Sequence, residues 1–151
     1  MVVIENILEG HELRTNVAAI EEAVLLHGSH NIFCVVTTTS CFAPRACDRV
    51  DDVARLCQQH GIAHVINNAY GLQAPKCTSL IDRACRIGRV DAFVQSTDKN
   101  FLVPVGGSIV ASPSHEFISH LSQVKREIED IERFVVWMAS LFFKELRIFG
   151  E

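Results

Sequence analysis

Short apolar segments recur along this chain at intervals of about 30 residues, and a stretch with helical periodicity follows most of them. The predicted strands cover residues 2–7, 31–36, 63–66, 90–94 and 108–111. The predicted helices begin near residues 15–16, 48 and 77, and each is followed by a glycine. The strands are apolar throughout, as expected when both faces of a sheet are covered. We therefore predict an α/β fold with a mostly parallel sheet and helices on both faces.

Three polar loops follow the central predicted strands directly. They cover residues 37–45, 67–71 and 96–100, and they are rich in hydroxyls, amides and charges. Ligands of open α/β sheets bind outside the carboxyl ends of the strands. We expect these three loops to converge at one sheet edge and to form the functional site.

Lys99 follows the fourth predicted strand and precedes the apolar segment 103–105 and two glycines. Apolar walls around an ammonium group lower its pKa and make the amine nucleophilic, as a Schiff base with an aldehyde cofactor requires. Ser96, three residues earlier, is a candidate hydrogen-bond donor to a cofactor phosphate. The alternative is a solvated lysine in an ordinary loop.

The segment Asn67-Asn68-Ala69-Tyr70 lies 32 residues before Lys99, counted from Asn67. It resembles the Asp-x-Ala-aromatic segment of pyridoxal-phosphate enzymes with the aspartate-aminotransferase fold, in which the acid pairs with the pyridine nitrogen and the alanine packs on the ring. Asn67 stands where the acid would be. An amide stabilises a protonated ring less than a carboxylate does, which suits elimination of a good leaving group better than transamination. The alternative is an Asx turn after a strand.

Several longer segments point to one family: VVIENILEGHELRTN, TTSCFAPR, HVINNAYGLQ, CRIGRVDAFVQSTDKNF and VPVGG. With these segments the chain resembles the O-phosphoseryl-tRNA(Sec) selenium transferases over about residues 2–123. The resemblance implies part of the large domain of a type I pyridoxal-phosphate-dependent transferase. It also implies a cytoplasmic homotetramer that converts O-phosphoseryl-tRNA(Sec) to selenocysteinyl-tRNA(Sec) with selenophosphate.

The same resemblance assigns residues to roles. Lys99 matches the lysine that holds the cofactor, Asn67 the residue facing the pyridine nitrogen, and Arg86 a basic position that contacts the tRNA. Ala69 and Ser96 complete the predicted cofactor site. Such a site would act by β-elimination of phosphate followed by addition of selenium. Without the resemblance, Arg86 and Arg89 would be interpreted as solvated arginines at a helix end.

Two further residue sets in the first loop are weaker candidates. Thr38, Thr39 and Ser40 are candidates for contacting an oxygen of the cofactor ring, and Arg45 is a candidate for binding an anion. A surface charge is the equal alternative for Arg45.

The resemblance ends near residue 124. Residues 124–151 instead repeat apolar side chains at spacings of three and four, which predicts one amphipathic helix. It would pack on the sheet or on another subunit, or else bind a membrane surface or a second copy. The family's chains are longer, and part of their phosphate site precedes the position of Met1, so we expect no turnover by this chain alone. The predicted units are thus a partial transferase domain, 1–123, and a helical tail, 124–151.

Composition and cysteine spacing exclude several classes. A net charge of −4 provides no general basic surface, and no segment reaches the length of about 20 apolar residues that spans a membrane. The six cysteines form no C-x-x-C pair, so we predict no metal site, no disulfide framework and a reducing, cytoplasmic environment. Two other functions stay open: another type I pyridoxal-phosphate enzyme, acting in sulfur transfer or as a lyase, and a non-catalytic interaction module.

Overall fold

The computed structural model describes residues 1–42, 45–103, 107–127 and 146–150. The strands within these ranges are β1 Val2–Ile4, β2 Ile7–Glu9, β3 Glu12–Arg14, β4 Ile32–Ser40, β5 Ala63–Asn68, β6 Ala92–Ser96, β7 Ser108–Ala111 and β8 Leu146–Gly150. The helices are α1 Val17–His27, α2 Val50–His60, α3 Pro75–Ile87, α4 Thr97–Asn100 and α5 His115–Glu127. Strand β2 pairs with β3 as a separate antiparallel hairpin.

The main sheet has the strand order β1-β8-β4-β5-β6-β7. Its centre is parallel, because β4 pairs with β5 and β5 with β6 in the same direction. β7 runs antiparallel to β6, and β8 runs antiparallel to both β4 and β1. Four of the six strands described in this sheet, β1, β4, β5 and β6, therefore point the same way. The predicted α/β class with a mostly parallel sheet is confirmed.

Three apolar clusters hold the sheet and helices together. The first joins α1 and α2 to β1 and β4 around Ile20, Val35 and Val53. The second joins α2 and α3 to β5 around Ala54 and Ile66. The third lies on the other face of the sheet and consists of strand residues of β4, β5, β6 and β7. In the first two clusters, burial of apolar side chains fixes the helices against the sheet and leaves the carboxyl ends of β4, β5 and β6 free for polar groups.

Two cysteines lie in the apolar core. Cys57 is buried in the first cluster and Cys34 in the third. Burial raises the pKa of the Cys34 thiol to about 11 and that of Cys57 to about 12. Both act as small hydrophobic side chains.

The start of α2 differs slightly from the predicted start near residue 48, where Asp48 would be the capping residue. Helix α2 begins at Val50 without a side-chain cap. The Asp48 carboxylate instead accepts hydrogen bonds from the Thr38 N–H at 2.7 Å and the Thr15 hydroxyl at 3.0 Å, and it pairs with Arg45. Asp48 therefore joins three segments, because a buried carboxylate needs several donors to replace its lost hydration.

The predicted helix over residues 124–151 is only partly within the described residues. Helix α5 ends at Glu127, and residues 128–145 lie outside the description. Residues 146–150 form β8, so the helical prediction is wrong for Leu146 and Phe149. β8 pairs with β1 on one side and with β4 on the other, and it thereby satisfies backbone groups on two strand edges. Apolar spacing in a five-residue segment cannot distinguish a strand from a helix.

Among the described residues, no helix has both the length and the apolar character that crossing a bilayer requires.

Candidate functional site

Buried hydrogen bonds connect the carboxyl ends of β4, β5 and β6. The Thr39 hydroxyl donates to Asn68 Oδ1 at 2.6 Å, and Asn68 Nδ2 donates to Gln95 Oε1 at 2.8 Å. Gln95 Nε2 then donates to the carbonyl oxygen of Ala69 at 3.0 Å. The first two predicted loops thus meet the end of β6 in one buried polar network, and each amide in it has both a donor and an acceptor partner. The third loop joins them through Asn100, whose Nδ2 donates to the same Ala69 carbonyl oxygen.

Asn67 lies beside this network at the end of β5, with 3% of its surface exposed. Its Oδ1 accepts a hydrogen bond from the Ala69 N–H at 3.0 Å. This bond is an Asx turn, the local geometry that the sequence offered as an alternative. The turn fixes the direction of the asparagine side chain and brings Ala69 next to it, so the local structure and a ligand contact through the Asn67 amide are compatible.

Lys99 lies in the single turn of α4, with 35% of its side chain exposed. Its Nζ donates a hydrogen bond to the Asp98 carboxylate and lies 6.0 Å from the centre of the Tyr70 ring. The bond to Asp98 raises the pKa of Lys99. The expectation that apolar walls lower the pKa of Lys99 is therefore wrong: an adjacent carboxylate stabilises the ammonium form more than partial burial disfavours it.

Asp98 is a site residue that the sequence analysis missed. Its carboxylate accepts hydrogen bonds from Lys99 Nζ and from the Ser96 hydroxyl, and these two bonds lower the pKa of Asp98. Ser96, the predicted phosphate donor, is thus bound to the same carboxylate as the lysine. The segment Ser-Thr-Asp-Lys contains the signal, since a charged pair of neighbouring residues lies in a loop already singled out.

Asn100 is a second missed residue. Its Nδ2 donates to the Ala69 carbonyl oxygen at 2.7 Å and to the Ser96 carbonyl oxygen at 2.8 Å. Its own carbonyl oxygen accepts a hydrogen bond from Gln73 Nε2 at 3.2 Å. Asn100 therefore connects the lysine turn to the loop that follows β5.

Two buried hydroxyls near Lys99 have no hydrogen-bond partner in the described part of the chain: Thr97 Oγ1 and Ser108 Oγ. Both lie where β6 meets β7, since the Thr97 N–H donates to the Gly107 carbonyl oxygen and Ser96 pairs with Ser108. A Cβ on Gly107 would collide with Thr97 Oγ1. The two unpaired hydroxyls could donate hydrogen bonds to a phosphate group, and the absence of a side chain at Gly107 leaves space beside them. These residues therefore fit pyridoxal phosphate. Pro104, Val105 and Gly106, of the predicted segment after Lys99, lie outside the described residues.

The predicted tRNA contact, Arg86, lies in the last turn of α3 with 70% of its side chain exposed. It pairs with Asp82 on the same helix at 2.5 Å. Arg89 is different, because it pairs with the Asp91 carboxylate at 2.9 Å and donates to the Gly61 carbonyl oxygen at 2.7 Å. Arg89 therefore stabilises the fold at the start of β6, whereas Arg86 is accessible to a partner.

The weaker candidates of the first loop form hydrogen bonds or ion pairs with other groups of the protein. Ser40 Oγ accepts the Tyr70 N–H at 3.2 Å, while Thr39 belongs to the buried network. Arg45 pairs with the buried Asp48. Asp48 therefore already supplies Arg45 with a negative partner.

In the part of the chain that the structure describes, no group of three or more His, Cys, Asp or Glu side chains is arranged to hold a metal ion.

Sequence comparison identifies relatives for most of the chain. The family model of O-phosphoseryl-tRNA(Sec) selenium transferase (SepSecS) matches residues 1–132. The O-phosphoseryl-tRNA(Sec) selenium transferase of Dictyostelium discoideum is 52% identical over 122 residues, which are 81% of this chain and 26% of that protein. The protein of the same name from Methanopyrus kandleri is 40% identical over 123 residues, 82% of this chain and 28% of that protein. This chain thus spans about a quarter of the length of the curated relatives it matches.

One solved structure shows the same family relationship, and a second shows the same fold. The crystal structure of an archaeal O-phosphoseryl-tRNA(Sec) selenium transferase superposes with a TM-score of 0.71 at 36% identity, over 78% of this chain and 27% of that one. Mouse CSAD in its apo form superposes with a TM-score of 0.56 at 20% identity, over 72% of this chain and 24% of that one. At that identity the second likeness concerns the fold alone, and it agrees with the α/β class.

Proposed function

This chain belongs to the O-phosphoseryl-tRNA(Sec) selenium transferase family, and from that premise we propose that it supplies the cofactor lysine of an enzyme making selenocysteinyl-tRNA(Sec). The proposed substrate is tRNA(Sec) charged with O-phosphoserine, and the proposed selenium donor is selenophosphate. The proposed assembly is a cytoplasmic homotetramer, the state that the resemblance implies. Because the chain spans about a quarter of its relatives, the activity is proposed for the whole protein to which this part corresponds.

Four residues would hold pyridoxal phosphate. Lys99 would bind its aldehyde carbon, Asn67 would face the ring nitrogen, and Ala69 would pack on the ring. Ser96 would donate to the phosphate after exchanging its hydrogen bond to Asp98 for one to the ligand. The unpaired hydroxyls of Thr97 and Ser108 support this placement, because they provide further donors next to Lys99. When bound, the cofactor would delocalise the electrons released as the substrate Cα loses its proton.

The protein's own contribution begins with the Lys99 amine. A free Lys99 Nζ would take the proton from Cα of the phosphoseryl group, after which the phosphate leaves from Cβ and selenium adds there. The Asp98 carboxylate would stabilise the ammonium that forms on Nζ, because it already accepts a hydrogen bond from this atom. Asp98 thus supports proton transfer to Lys99.

Arg86 is the proposed contact to the tRNA. Its guanidinium is exposed and needs only to exchange the Asp82 carboxylate for an RNA phosphate. Arginines bind phosphates with charge-assisted, often bidentate hydrogen bonds, and such contacts position a nucleic acid without reading its sequence.

One observation carries the proposal: the turn that holds Lys99 is hydrogen-bonded through Asn100 to the loop that carries Asn67 and Ala69. Lysine and ring-facing residues therefore belong to one rigid cluster. In a test, the chain is incubated with pyridoxal phosphate and reduced with borohydride, and the modified peptide is identified by mass spectrometry. We expect the label on Lys99.

Lys76→Arg is the matched control, because Lys76 is an exposed lysine outside the cluster. It should leave the labelling of Lys99 intact, whereas Lys99→Arg should abolish the specific label. A main label on any lysine other than Lys99 would contradict the assignment of the cofactor lysine.

A further inference from the structure

We propose that Asn100 is a positioning residue for Lys99, whose side-chain amide fixes the lysine turn against the loop carrying Asn67 and Ala69. The inference rests on the proposed function, since it concerns how the cofactor lysine is held. Asn100 does not touch the reacting atoms in this role and acts through its neighbour.

The amide of Asn100 matches its two acceptors. A primary amide nitrogen carries two hydrogens, and the Asn100 Nδ2 has two carbonyl oxygens within reach, those of Ala69 at 2.7 Å and Ser96 at 2.8 Å. The Ser96 bond closes the turn of α4 onto the end of β6, and the Ala69 bond crosses to the end of β5. A single side chain therefore ties the lysine turn to two strands.

The rest of α4 is too short to fix Lys99 by itself. It is one turn of four residues, closed by a backbone hydrogen bond from the Phe101 N–H to the Thr97 carbonyl oxygen at 2.8 Å. One isolated helical turn is marginal without tertiary contacts. Directly after it, Leu102 has a φ of 56°, in the left-handed region. Besides the bond from the Thr97 N–H to the Gly107 carbonyl oxygen, the Asn100 amide supplies the contact that ties this short turn to the loop after β5.

The loop on the other side of the contact is itself rigid. The Ala69 carbonyl oxygen also accepts from Gln95 Nε2 at 3.0 Å, and the Ala69 N–H is held by Asn67. Gly71 packs so closely that a Cβ there would collide with Asn68 Oδ1. Asn100 thus attaches the lysine turn to a fixed reference, as positioning of a reactive group requires.

The test uses Asn100→Asp in the full chain. This substitution keeps the size of the side chain but turns an oxygen toward two carbonyl oxygens, so both hydrogen bonds are lost. The readout is the rate of labelling by pyridoxal phosphate and borohydride at Lys99 divided by the rate at Lys76. We expect this ratio to fall about tenfold or more, since small misplacements of reacting groups cost one to two orders of magnitude. A purely structural role would change the unfolding temperature and leave the ratio unchanged.

Asn31→Asp is the matched control. Asn31 Nδ2 donates to the carbonyl oxygen of His27, four residues earlier, at 2.9 Å, the same spacing as Asn100 to Ser96 but remote from the lysine. Its labelling ratio should equal that of the unmodified chain. Asn100→Ser keeps one donor and serves if the aspartate variant fails to fold; its ratio should fall by a smaller factor.

The outcomes separate the two proposals. If the unmodified chain is labelled at Lys99 and the Asn100 variants keep its ratio within twofold, the positioning role is refuted and the proposed function stands. If the unmodified chain is labelled mainly at another lysine, the proposed function fails and the role of Asn100 fails with it.

Discussion

At the scale of single residues, the protonation state of Lys99 depends on its neighbour in sequence. The Asp98 carboxylate binds both Lys99 and Ser96, and it raises the pKa of Lys99. The sequence shows that aspartate and lysine are adjacent, but adjacent residues need not point toward each other. Apolar residues on either side of the loop suggested desolvation instead, and that suggestion failed because Lys99 remains partly exposed.

Asp98→Asn should lower the pKa of Lys99. The neutral amide no longer stabilises the ammonium form as the carboxylate does, and Tyr70, whose ring centre lies 6.0 Å from Nζ, is unchanged by the substitution. The measurement is the pH dependence of Lys99 acetylation by acetic anhydride, read by mass spectrometry with Lys76 as reference. The midpoint for Lys99 should move to lower pH.

Asp82→Asn is the control for this experiment, because Asp82 pairs with Arg86 on α3 instead. It should leave the midpoint unchanged. An identical midpoint in the Asp98→Asn chain would show that the carboxylate does not hold the lysine proton in solution.

At the scale of elements, the sequence predicts most of the fold because its signals are local. Asn16 caps α1 by accepting the Ala19 N–H at 3.1 Å, and Gly61 ends α2 in a left-handed conformation. The choice of partner for Asp48 is not local, since Thr38 and Thr15 come from distant segments. A capping rule cannot include donors that only the folded chain brings together.

Gly88 shows a constraint between elements that the sequence alone does not reveal. It lies just past α3 in extended backbone, and a Cβ there would overlap the backbone of Ala54 and Arg55 in α2. The Arg89 N–H also donates to the Ala54 carbonyl oxygen at 2.9 Å. The glycine that was predicted to end a helix therefore also permits two helices to approach closely.

Gly88→Ala should lower the free energy of unfolding by about 3 kcal/mol, because backbone atoms cannot move aside as a flexible side chain can. Gly61→Ala should cost about 1 kcal/mol, since Gly61 has a φ of 70° and open space around its Cα. Urea unfolding of both variants tests this order. If the two variants lose equal amounts of unfolding free energy, α2 and α3 separate easily.

At the scale of the whole molecule, the sequence predicts that the three loops converge, but it does not predict which side chains form hydrogen bonds between them. Parallel strands necessarily bring their carboxyl ends to one edge, so the loops after β4, β5 and β6 had to meet. Which amide pairs with which depends on sheet register, for example Thr38 opposite Asn67 and Asn67 opposite Val94. Register follows from packing of the whole sheet. The bond from the Asn100 amide to the Ala69 carbonyl oxygen spans 31 positions of the chain and likewise depends on that packing, so Asn100 emerged only from the structure.

His64 links the stability of the whole molecule to pH. It is fully buried, and its Nδ1–H donates to the Arg89 carbonyl oxygen at 3.1 Å while Nε2 accepts from the Thr37 hydroxyl at 2.8 Å. Burial lowers the pKa of His64 from 6.5 to about 4, against the opposing field of Asp91. The imidazole is therefore neutral in the folded protein at pH values where the unfolded chain already binds a proton.

Between pH 6.5 and about 4 the unfolded chain holds more protons at this position, so stability should fall as the pH falls. From about pH 7.5 to about pH 5 the loss is about 2 kcal/mol from His64. Urea unfolding at both pH values measures it, and His64→Gln should remove this part of the loss because glutamine does not titrate. His11 is exposed, so the His11→Gln variant should lose as much stability between the two pH values as the unmodified chain does. If the chain with His64→Gln loses as much stability as the unmodified chain, His64 is not the group that couples folding to protons.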